Sequence, residues 1–481
     1  MQSSVSFVLD GKIHTVEFNG FEELRPTTTV LNLLRSLPNH TGVKEGCAEG
    51  DCGACTIVLG ELTEQGYIKY TAVDSCLVFL PMIHGKQLVT VENLKNEKGE
   101  LHPVQQAMVE SGGSQCGYCT PGFIMSLFAL YKNKDRPTRE DIDNALTGNL
   151  CRCTGYRPIV EASAKACVHH GVDHLTNQEP YVKELLQFIP KESLCIQTPH
   201  QLYLRPASLG EAITLLHQHP NAIVIRGATD VALRVTKNNE VLQEILDFSA
   251  LHELETFTEK ETEVVIGSGL SLQELMLKIQ HLFPALHSMV TVFGSEQIRN
   301  LATLGGNLGT ASPIGDTLPV LFAYQARVVL EGINGRREIP IEQYIVGYRK
   351  TMRKPDEVIT AVIIPKITKG VHVESYKVSK RKDLDISTVS GCFRLALNGS
   401  TEVEELTLAF GGMAEKVKRA TTAEQFLIGK QWNRETVEQA MSLVDNDFTP
   451  LSDTRGSAQF RRVASRNLLL KFWSETSGQR I

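Results

Sequence analysis

The first twenty residues alternate between apolar and polar side chains. SVSFVLD and HTVEFNG each follow the two-residue period of a strand, and the GK between them supplies a hairpin turn. TTTVLNLLRSL shifts to helical spacing with a threonine at its start. A glycine-rich stretch, KEGCAEGDCGAC, then runs into the apolar strand TIVLGEL, and YTAVDSCLVFLPMIHGKQLVTVENL holds two further strands. The polar run KNEKGELH at 95–102 interrupts the pattern. Beyond it HPVQQAMVESG, TPGFIMSLFALYKN, PTREDIDNAL and RPIVEASAKACVHHG predict four helices, a compact bundle. Thr138 stands at the N-cap of the third, with Asp141 three residues on in the capping-box position.

Residues 171–200 show weak periodicity and read as a connector. From Leu202 strands and helices alternate. LGEAITLLHQHP is a helix, AIVIRGATDVALRV a strand with its turn, and EVVIGSGLSLQELMLKIQHLFPALHSMV a strand, loop and helix. ATLGGNLGTASPIGDTLPVLFAY reads as a glycine-rich loop leading into an apolar helix. A last α/β segment begins near Glu374, with strands VSGCFRLAL and ELTLAFGGM.

A chain of 481 residues exceeds one ordinary core and calls for about three domains. Hydrophobic and charged contents of 42% and 22% are those of a soluble globular protein. A net charge of −6 offers no basic face for nucleic acid. No apolar run reaches the roughly 20 residues that span a bilayer, and the alternating N-terminus is unlike a signal peptide. The expectation is a cytoplasmic protein with neither nucleic acid nor membrane as a partner.

Eight of the eleven cysteines lie between Cys47 and Cys153 in two groups of four, which in an intracellular chain reads as metal ligation. Cys47, Cys52, Cys55 and Cys76 have the C-x4-C-x2-C…C spacing of plant-type [2Fe–2S] proteins. Gly46, Gly50 and Gly53 between them free the backbone to wrap a cluster and bring amide N–H groups to its sulfurs. A zinc loop or a redox pair at Cys52 and Cys55 is the alternative. In the second group, Cys116 and Cys119 lie between the first two bundle helices, and Cys151 and Cys153 between the third and fourth. If the helices alternate up and down, both loops meet at one end, where two thiolates from each loop would hold one iron of a second cluster. A four-thiolate zinc site is the alternative there. Cys167, Cys195 and Cys392 read as small core residues.

VKEGCAEGDCGACTIVL, QCGYCTPGFIMS and GNLCRCTGYRPI, in this order, resemble the iron–sulfur half of the xanthine dehydrogenase family of molybdenum hydroxylases. IRGATDVALRV and TLGGNLGTASPIGD resemble the two flavin-contacting stretches of that family's FAD domain. RKTMRKPDEVITAVIIP and YKVSKRKDLDIS resemble its later flavin-side segments. The resemblance implies an α+β multidomain architecture. A β-grasp, plant-type ferredoxin domain would occupy 1–92, a four-helix [2Fe–2S] bundle 93–172 and a linker 173–200. An α/β FAD-binding domain of the vanillyl-alcohol-oxidase/PCMH type would occupy 201–372, and a small C-terminal α/β flavoprotein domain 373–481. The long molybdopterin-binding region of single-chain members does not follow residue 481, so the chain is similar to the small subunit of split bacterial members.

Carried onto matching positions, the resemblance makes Cys47, Cys52, Cys55 and Cys76 ligands of one cluster and Cys116, Cys119, Cys151 and Cys153 ligands of the other. For FAD the matching positions are Val224, Ile225, Arg226, Gly227, Ala228, Thr229, Asp230 and Val231, then Phe293, Thr303, Gly306, Asn307, Thr310, Asp316, Ile359 and Lys377. Arg226 and Ala228 depart from the neutral or amide residues expected there. Independently of the resemblance, Gly305, Gly306 and Gly309 allow close backbone approach to a pyrophosphate, although a plain tight turn would use them too. Asp316 serves equally as a helix-capping acid, and Phe293 as core. No G-x-G-x-x-G follows a strand, so a Rossmann site has no support.

The resemblance further implies an electron-transfer subunit with two [2Fe–2S] clusters and FAD and no catalytic residue assigned on this chain. Electrons from a molybdenum centre on a large molybdopterin-binding partner would pass to the bundle cluster, the plant-type cluster, FAD and then NAD, in oxidation of hypoxanthine and xanthine to urate. The assembly would be an α2β2 heterotetramer. Lys380, Arg381 and Lys382, with Asp383 and Asp385, resemble the family's loop beside the flavin, or form a solvated charge cluster. Other readings are the equivalent subunit for aldehydes or N-heterocycles, a molybdenum-independent flavin reductase, and a zinc-stabilised interaction protein.

Overall fold

A computed structural model describes residues 2–18, 24–168 and 173–479. The ends of the second predicted strand, Asn19 and Gly20, and of the fourth predicted bundle helix, His169 to Gly171, lie outside the described residues. The chain forms two compact units, Met1–Leu251 with Ser295–Ala302, and His252–Gly294 with Thr303–Ile481.

The first unit begins with the predicted hairpin, β1 (Ser4–Leu9) and β2 (Lys12–Glu17). Asp10 and Gly11 turn it with φ of 53° and 67°, the left-handed pair that matches strand twist. Helix α1 (Val30–Ser36) follows, capped by Thr29, then β3 (Thr56–Leu62), β4 (Ile68–Asp74) and β5 (Gln87–Val89). The sheet order is β2-β1-β5-β3-β4, with β1 and β5 parallel and the other pairs antiparallel, the mixed sheet of a β-grasp. Alternation along β3 buries Ile57 and Leu59 on one face and Val58 on the other, so both faces carry core.

The second face packs on the bundle: α2 (Pro103–Glu110), α3 (Thr120–Asn133), α4 (Arg139–Leu146) and α5 (Arg157–Val168). α3 buries ten consecutive residues, Gly122 to Tyr131, because it lies between the other helices and the sheet. Thr138 and Asp141 form the predicted capping box.

Residues 173–200 are not an unstructured connector. Helix α6 (His174–Phe188) buries Leu175, Val182 and Leu186 despite Pro180 inside it, and a strand follows at Leu194–Gln197. Buried charge fixes the helix. Asp173 accepts from His102 Nε2 at 3.1 Å and from the Thr176 amide at 2.6 Å, with Lys132 Nζ 3.7 Å away. Lys132 also pairs with Glu179 at 3.0 Å. Burial alone would raise the Asp173 pKa, but the His102 and Thr176 hydrogen bonds and the Lys132 charge outweigh it and hold the carboxyl below the usual range. The first unit also holds a sheet of Leu194–Gln197, Leu202–Arg205, Glu244–Asp247 and Ile223–Ile225, in that order, with helices at Leu209–Gln218, Ala232–Thr236 and Glu296–Arg299.

The second unit has a five-stranded antiparallel sheet ordered Phe257–Glu259, Glu263–Gly267, Glu357–Pro365, Arg327–Gly332 and Gly335–Pro340. A four-stranded sheet, Val371–Val378, Val389–Leu397, Val403–Gly411 and Lys418–Arg419, packs against helices that include the long Ala458–Ser477. The stretch LGGNLGT, expected as loop, is a helix, Leu304–Thr310. The Thr303 side chain caps it, and burial of Leu304 and Leu308 overrides the low helix propensity of three glycines.

The buried charges around Asp173 give the first prediction. Asp173→Ala leaves His102 and Lys132 without their carboxylate and should cost about 3–5 kcal/mol, read as a lower denaturant midpoint of the unfolding transition. Because folding lowers this pKa, its stabilisation is complete above the unfolded value near pH 4 and disappears as pH falls through the lower folded value. The variant should therefore lack that part of the acid sensitivity; an unchanged midpoint at neutral pH would contradict the assignment.

Candidate iron–sulfur and flavin sites

Loop 43–55 enters β3 through backbone that only small residues tolerate. Ala48, Gly50 and Gly53 have φ of 55°, 76° and 65°. A Cβ on Gly46 would stand 2.8 Å from Cys52 Sγ, so glycine is required there. The four thiols of this first group come as two pairs. Cys55 Sγ lies 3.3 Å from Cys76 Sγ, and Cys47 is hydrogen-bonded to Cys52. The amides of Asp51 and Glu49 donate to Cys47 Sγ at 3.3 and 3.5 Å. The bond to Cys52, together with these amides, draws the Cys47 thiol down to about 6 and drives that of Cys52 up. The Cys76 hydrogen bond and burial push Cys55 up as well. Asp74 is fully buried beside Cys55, and burial, then the Cys47 charge, lift its carboxyl to about 8.

The second group converges at one end of the bundle, as expected from alternating helices, but its sulfurs pair across the loops. Cys119 meets Cys151 and Cys116 meets Cys153. The expectation had both thiols of each loop on one metal. The Cys153 amide donates to Cys151 Sγ at 3.4 Å, and Thr154 Oγ1 lies 3.2 Å from the same sulfur. Cys116 and Cys153 are exposed, whereas Cys151 is buried.

Among the described residues no three His, Cys, Asp or Glu side chains gather around one single-ion position. A tetrahedral zinc would need four sulfurs equidistant from one point. Two pairs per group, with amide N–H groups aimed at sulfur, fit a binuclear cluster carrying two thiolates on each iron.

The two cysteine loops touch through backbone. Leu150 N donates to Cys52 O at 3.0 Å, and Asn149 Nδ2 to Gly53 O at 3.0 Å. A Cβ on Gly53 would lie 2.4 Å from Gly148 O, and one on Gly122 would lie 2.1 Å from Gly53 O. Sequence reading missed Asn149, Ser126 and Gln297, which form a buried chain here. Gln297 Nε2 donates to Ser126 Oγ at 2.8 Å, and Ser126 Oγ to Asn149 Oδ1 at 2.6 Å. The GN of GNLCRC was the available signal.

The flavin candidates divide between the units. In the first, Val224–Val231 is a strand end and turn. Ala228 has φ of 56°, and Gly227 packs so closely that a Cβ would stand 1.8 Å from Leu301 O. Arg226 donates through Nη1 to the carbonyls of Phe248 and Leu251, so this departure from the expected neutral residue is a strut. The helix that follows, Ala232–Thr236, and its C-cap Lys237 hold the first cysteine loop, Thr236 Oγ1 donating to Ala48 O at 2.7 Å and Lys237 Nζ to Cys47 O at 3.1 Å.

In the second unit the Gly306 amide donates to Thr303 Oγ1 at 2.9 Å. Gly305 abuts Ser268, whereas a Cβ on Gly309 would meet only Ile359 Cδ1, at 3.6 Å. Asn307 Oδ1 accepts from Thr317 Oγ1 at 2.6 Å, and Thr310 ends the helix. Asp316 and Lys377 form a buried ion pair at 2.9 Å, joined by Ser387 Oγ at 2.6 Å and by the Val292 carbonyl, which accepts from Lys377 Nζ at 2.8 Å. Phe293 follows that carbonyl directly. Arg381 pairs with Asp385, so the basic run is partly self-neutralised.

Three family models match the chain: a [2Fe-2S] binding domain at 90–164, the FAD binding domain in molybdopterin dehydrogenase at 196–367 and the CO dehydrogenase flavoprotein C-terminal domain at 374–476. Xanthine dehydrogenase/oxidase of Gallus gallus is 32% identical over 94% of this chain, which spans 39% of that protein. Xanthine dehydrogenase of Emericella nidulans is 32% identical over 95% of this chain, spanning 38% of it. Among solved structures, a carbon monoxide dehydrogenase from Hydrogenophaga pseudoflava, lacking the Mo-pyranopterin moiety of the molybdenum cofactor, is similar with a TM-score of 0.54 and 25% identity. The likeness covers 57% of this chain and 96% of that one. Among the described residues no helix is long and apolar enough to cross a membrane. The paired thiols, the domain matches and the relatives agree: this chain belongs to the molybdenum hydroxylase family, as an iron–sulfur and FAD electron-transfer module of its oxidoreductases.

Proposed function

We propose that the chain is the electron-carrying part of an NAD-dependent xanthine dehydrogenase, working with a partner subunit that carries molybdopterin, in an α2β2 assembly in the reducing cytoplasm. The observation that carries the reading is the pairing of eight thiols into two sets of two pairs. Cys47 with Cys52, and Cys55 with Cys76, would each hold one iron of a plant-type cluster. Cys116 with Cys153, and Cys119 with Cys151, would do the same for the bundle cluster. The likeness to xanthine dehydrogenases along 94% of the chain favours a purine substrate.

When bound, clusters and flavin supply one-electron carriage and its conversion to hydride delivery. The protein's own part is positional. Amides of Glu49, Asp51 and Cys153 place partial positive charge against thiolate sulfur and favour its ionised form. The exposed edge at Cys116 and Cys153 suits docking of a redox partner, and Asp74, buried beside Cys55, keeps an acidic group near the other cluster. For FAD, the turn Val224–Val231 and the residues Phe293, Thr303, Gly306, Asn307, Thr310, Asp316, Ile359 and Lys377 would supply the contacts. Gly309 leaves room for a pyrophosphate, and Asp316, held by Lys377, directly precedes Thr317, which donates to Asn307 Oδ1.

The test is isolation of the native complex. It should contain a large molybdenum-bearing subunit, about four irons and one flavin per copy of this chain, and should reduce NAD with xanthine. Zinc without flavin would contradict the cofactor assignment. Activity confined to aldehydes or N-heterocycles would overturn the substrate. In a second prediction, Cys151→Ser or Cys153→Ser removes one cluster. Iron should fall from about four to about two per chain with FAD retained. Unchanged iron in both variants would contradict the ligand assignment.

A further inference from the structure

Each cysteine group lies on its own loop, yet the two loops are in contact through main chain. The carbonyl of Cys52 accepts a hydrogen bond from the amide of Leu150, the residue before Cys151, at 3.0 Å. One backbone hydrogen bond therefore links a thiol of the plant-type group to a thiol of the bundle group. Everything around it serves close approach. Gly53, Gly122 and Gly148 each stand where a Cβ would fall within 2.4 Å of a neighbouring atom. Such contacts are closer than any side chain permits. Asn149 fastens the junction, donating through Nδ2 to Gly53 O at 3.0 Å and to Thr56 Oγ1 at 3.2 Å. Its Oδ1 in turn accepts from Ser126 Oγ at 2.6 Å and Gln297 Nε2 at 3.2 Å. Asn149, Ser126 and Gln297 are 2%, 2% and 0% exposed. Gln297 Oε1 has no hydrogen-bond partner, but the links through Gln297 Nε2, Ser126 and Asn149 hold the loops in one arrangement, because breaking one of them strands its partner away from solvent.

We propose that the Cys52 carbonyl and Leu150 amide form the electronic bridge between the two clusters, and that Asn149, backed by Ser126 and Gln297, is the positioning residue that holds it. The inference rests on the cluster assignment above. Electron tunnelling decays less steeply through bonded atoms than across a gap, so a single hydrogen bond joining two ligand-bearing strands of backbone is the favoured route. The bridge would join the iron that Cys47 and Cys52 would hold to the iron that Cys119 and Cys151 would hold. One electron leaves one cluster, which is oxidised, and enters the other, which is reduced. No bond forms or breaks, and no proton moves. Asn149 touches neither sulfur nor iron and acts only through the spacing of the loops.

The test uses the full-length, iron-loaded chain. In the wild type, low-temperature EPR of the fully reduced protein should show both cluster signals, split by their mutual spin coupling. Asn149→Ala should keep both signals, the iron content and both midpoint potentials. The splitting should shrink, and inter-cluster electron transfer, followed after flash photoreduction, should slow by about tenfold, as for other outer residues that orient metal ligands. Gln297→Met removes the amide behind Asn149 without altering either loop's sequence, and makes the same test should Asn149→Ala not load both clusters. Wild-type splitting and transfer rate in a loaded variant would overturn the bridge. A wild-type chain without two cluster signals would overturn the cluster assignment itself, a separate and distinguishable failure.

Discussion

The contact between the two cysteine loops is the constraint on which the first unit depends. Main chain meets main chain where Gly53 packs on the Gly148 carbonyl and Gly122 on the Gly53 carbonyl, and neither Gly53 nor Gly122 has space for a Cβ. For that contact to exist, β3 must emerge from the first loop against α3, and the α4–α5 connection must return to the same end of the bundle. The ten-residue buried run of α3 and the doubly buried β-grasp sheet follow from this requirement. They turn a small domain and a small bundle, each modest in core, into one packed body. The Asp173–His102–Lys132 charges then lock α6 onto the bundle.

The same logic extends toward the flavin side of the first unit. The turn Val224–Val231 is built on a close glycine contact at Gly227, and its following helix grips the first cysteine loop through Thr236 and Lys237. The carbonyl of Cys47 thus accepts from Lys237, six residues beyond Val231, and that of Cys52, its pair, from the amide of Leu150, next to Cys151. The loop 43–55 occupies the middle of the module because it has backbone contacts on both sides.

Much of this was legible in the sequence. The alternation of SVSFVLD and HTVEFNG, the cap at Thr138 and the uniformly apolar α3 follow from period and local chemistry alone. The cysteine spacings identified both groups. What spacing does not carry is which sulfur lies nearest which, so the cross-loop pairing of Cys119 with Cys151 emerged only from the fold. Helix α6 was hidden by its weak periodicity, and Pro180 inside it is tolerated where the helix is clamped by buried charge. The helix at Leu304–Thr310 was hidden by its glycines, whose cost is outweighed by tertiary burial. Asn149 had only the GN of GNLCRC to mark it, and Ser126 and Gln297 were invisible because they meet across 171 positions of sequence. Asp316 and Lys377 stand far apart in sequence and show no periodic signal, yet they neutralise each other in the second unit.

The central claim is that two pairs of thiol pairs each hold a [2Fe–2S] cluster. Low-temperature EPR of the dithionite-reduced chain, with spin integration, tests it most directly. Two distinct spin-half signals with different relaxation, together about two spins per chain, are the predicted result. A single signal near one spin per chain, or an EPR-silent protein containing zinc, would contradict it.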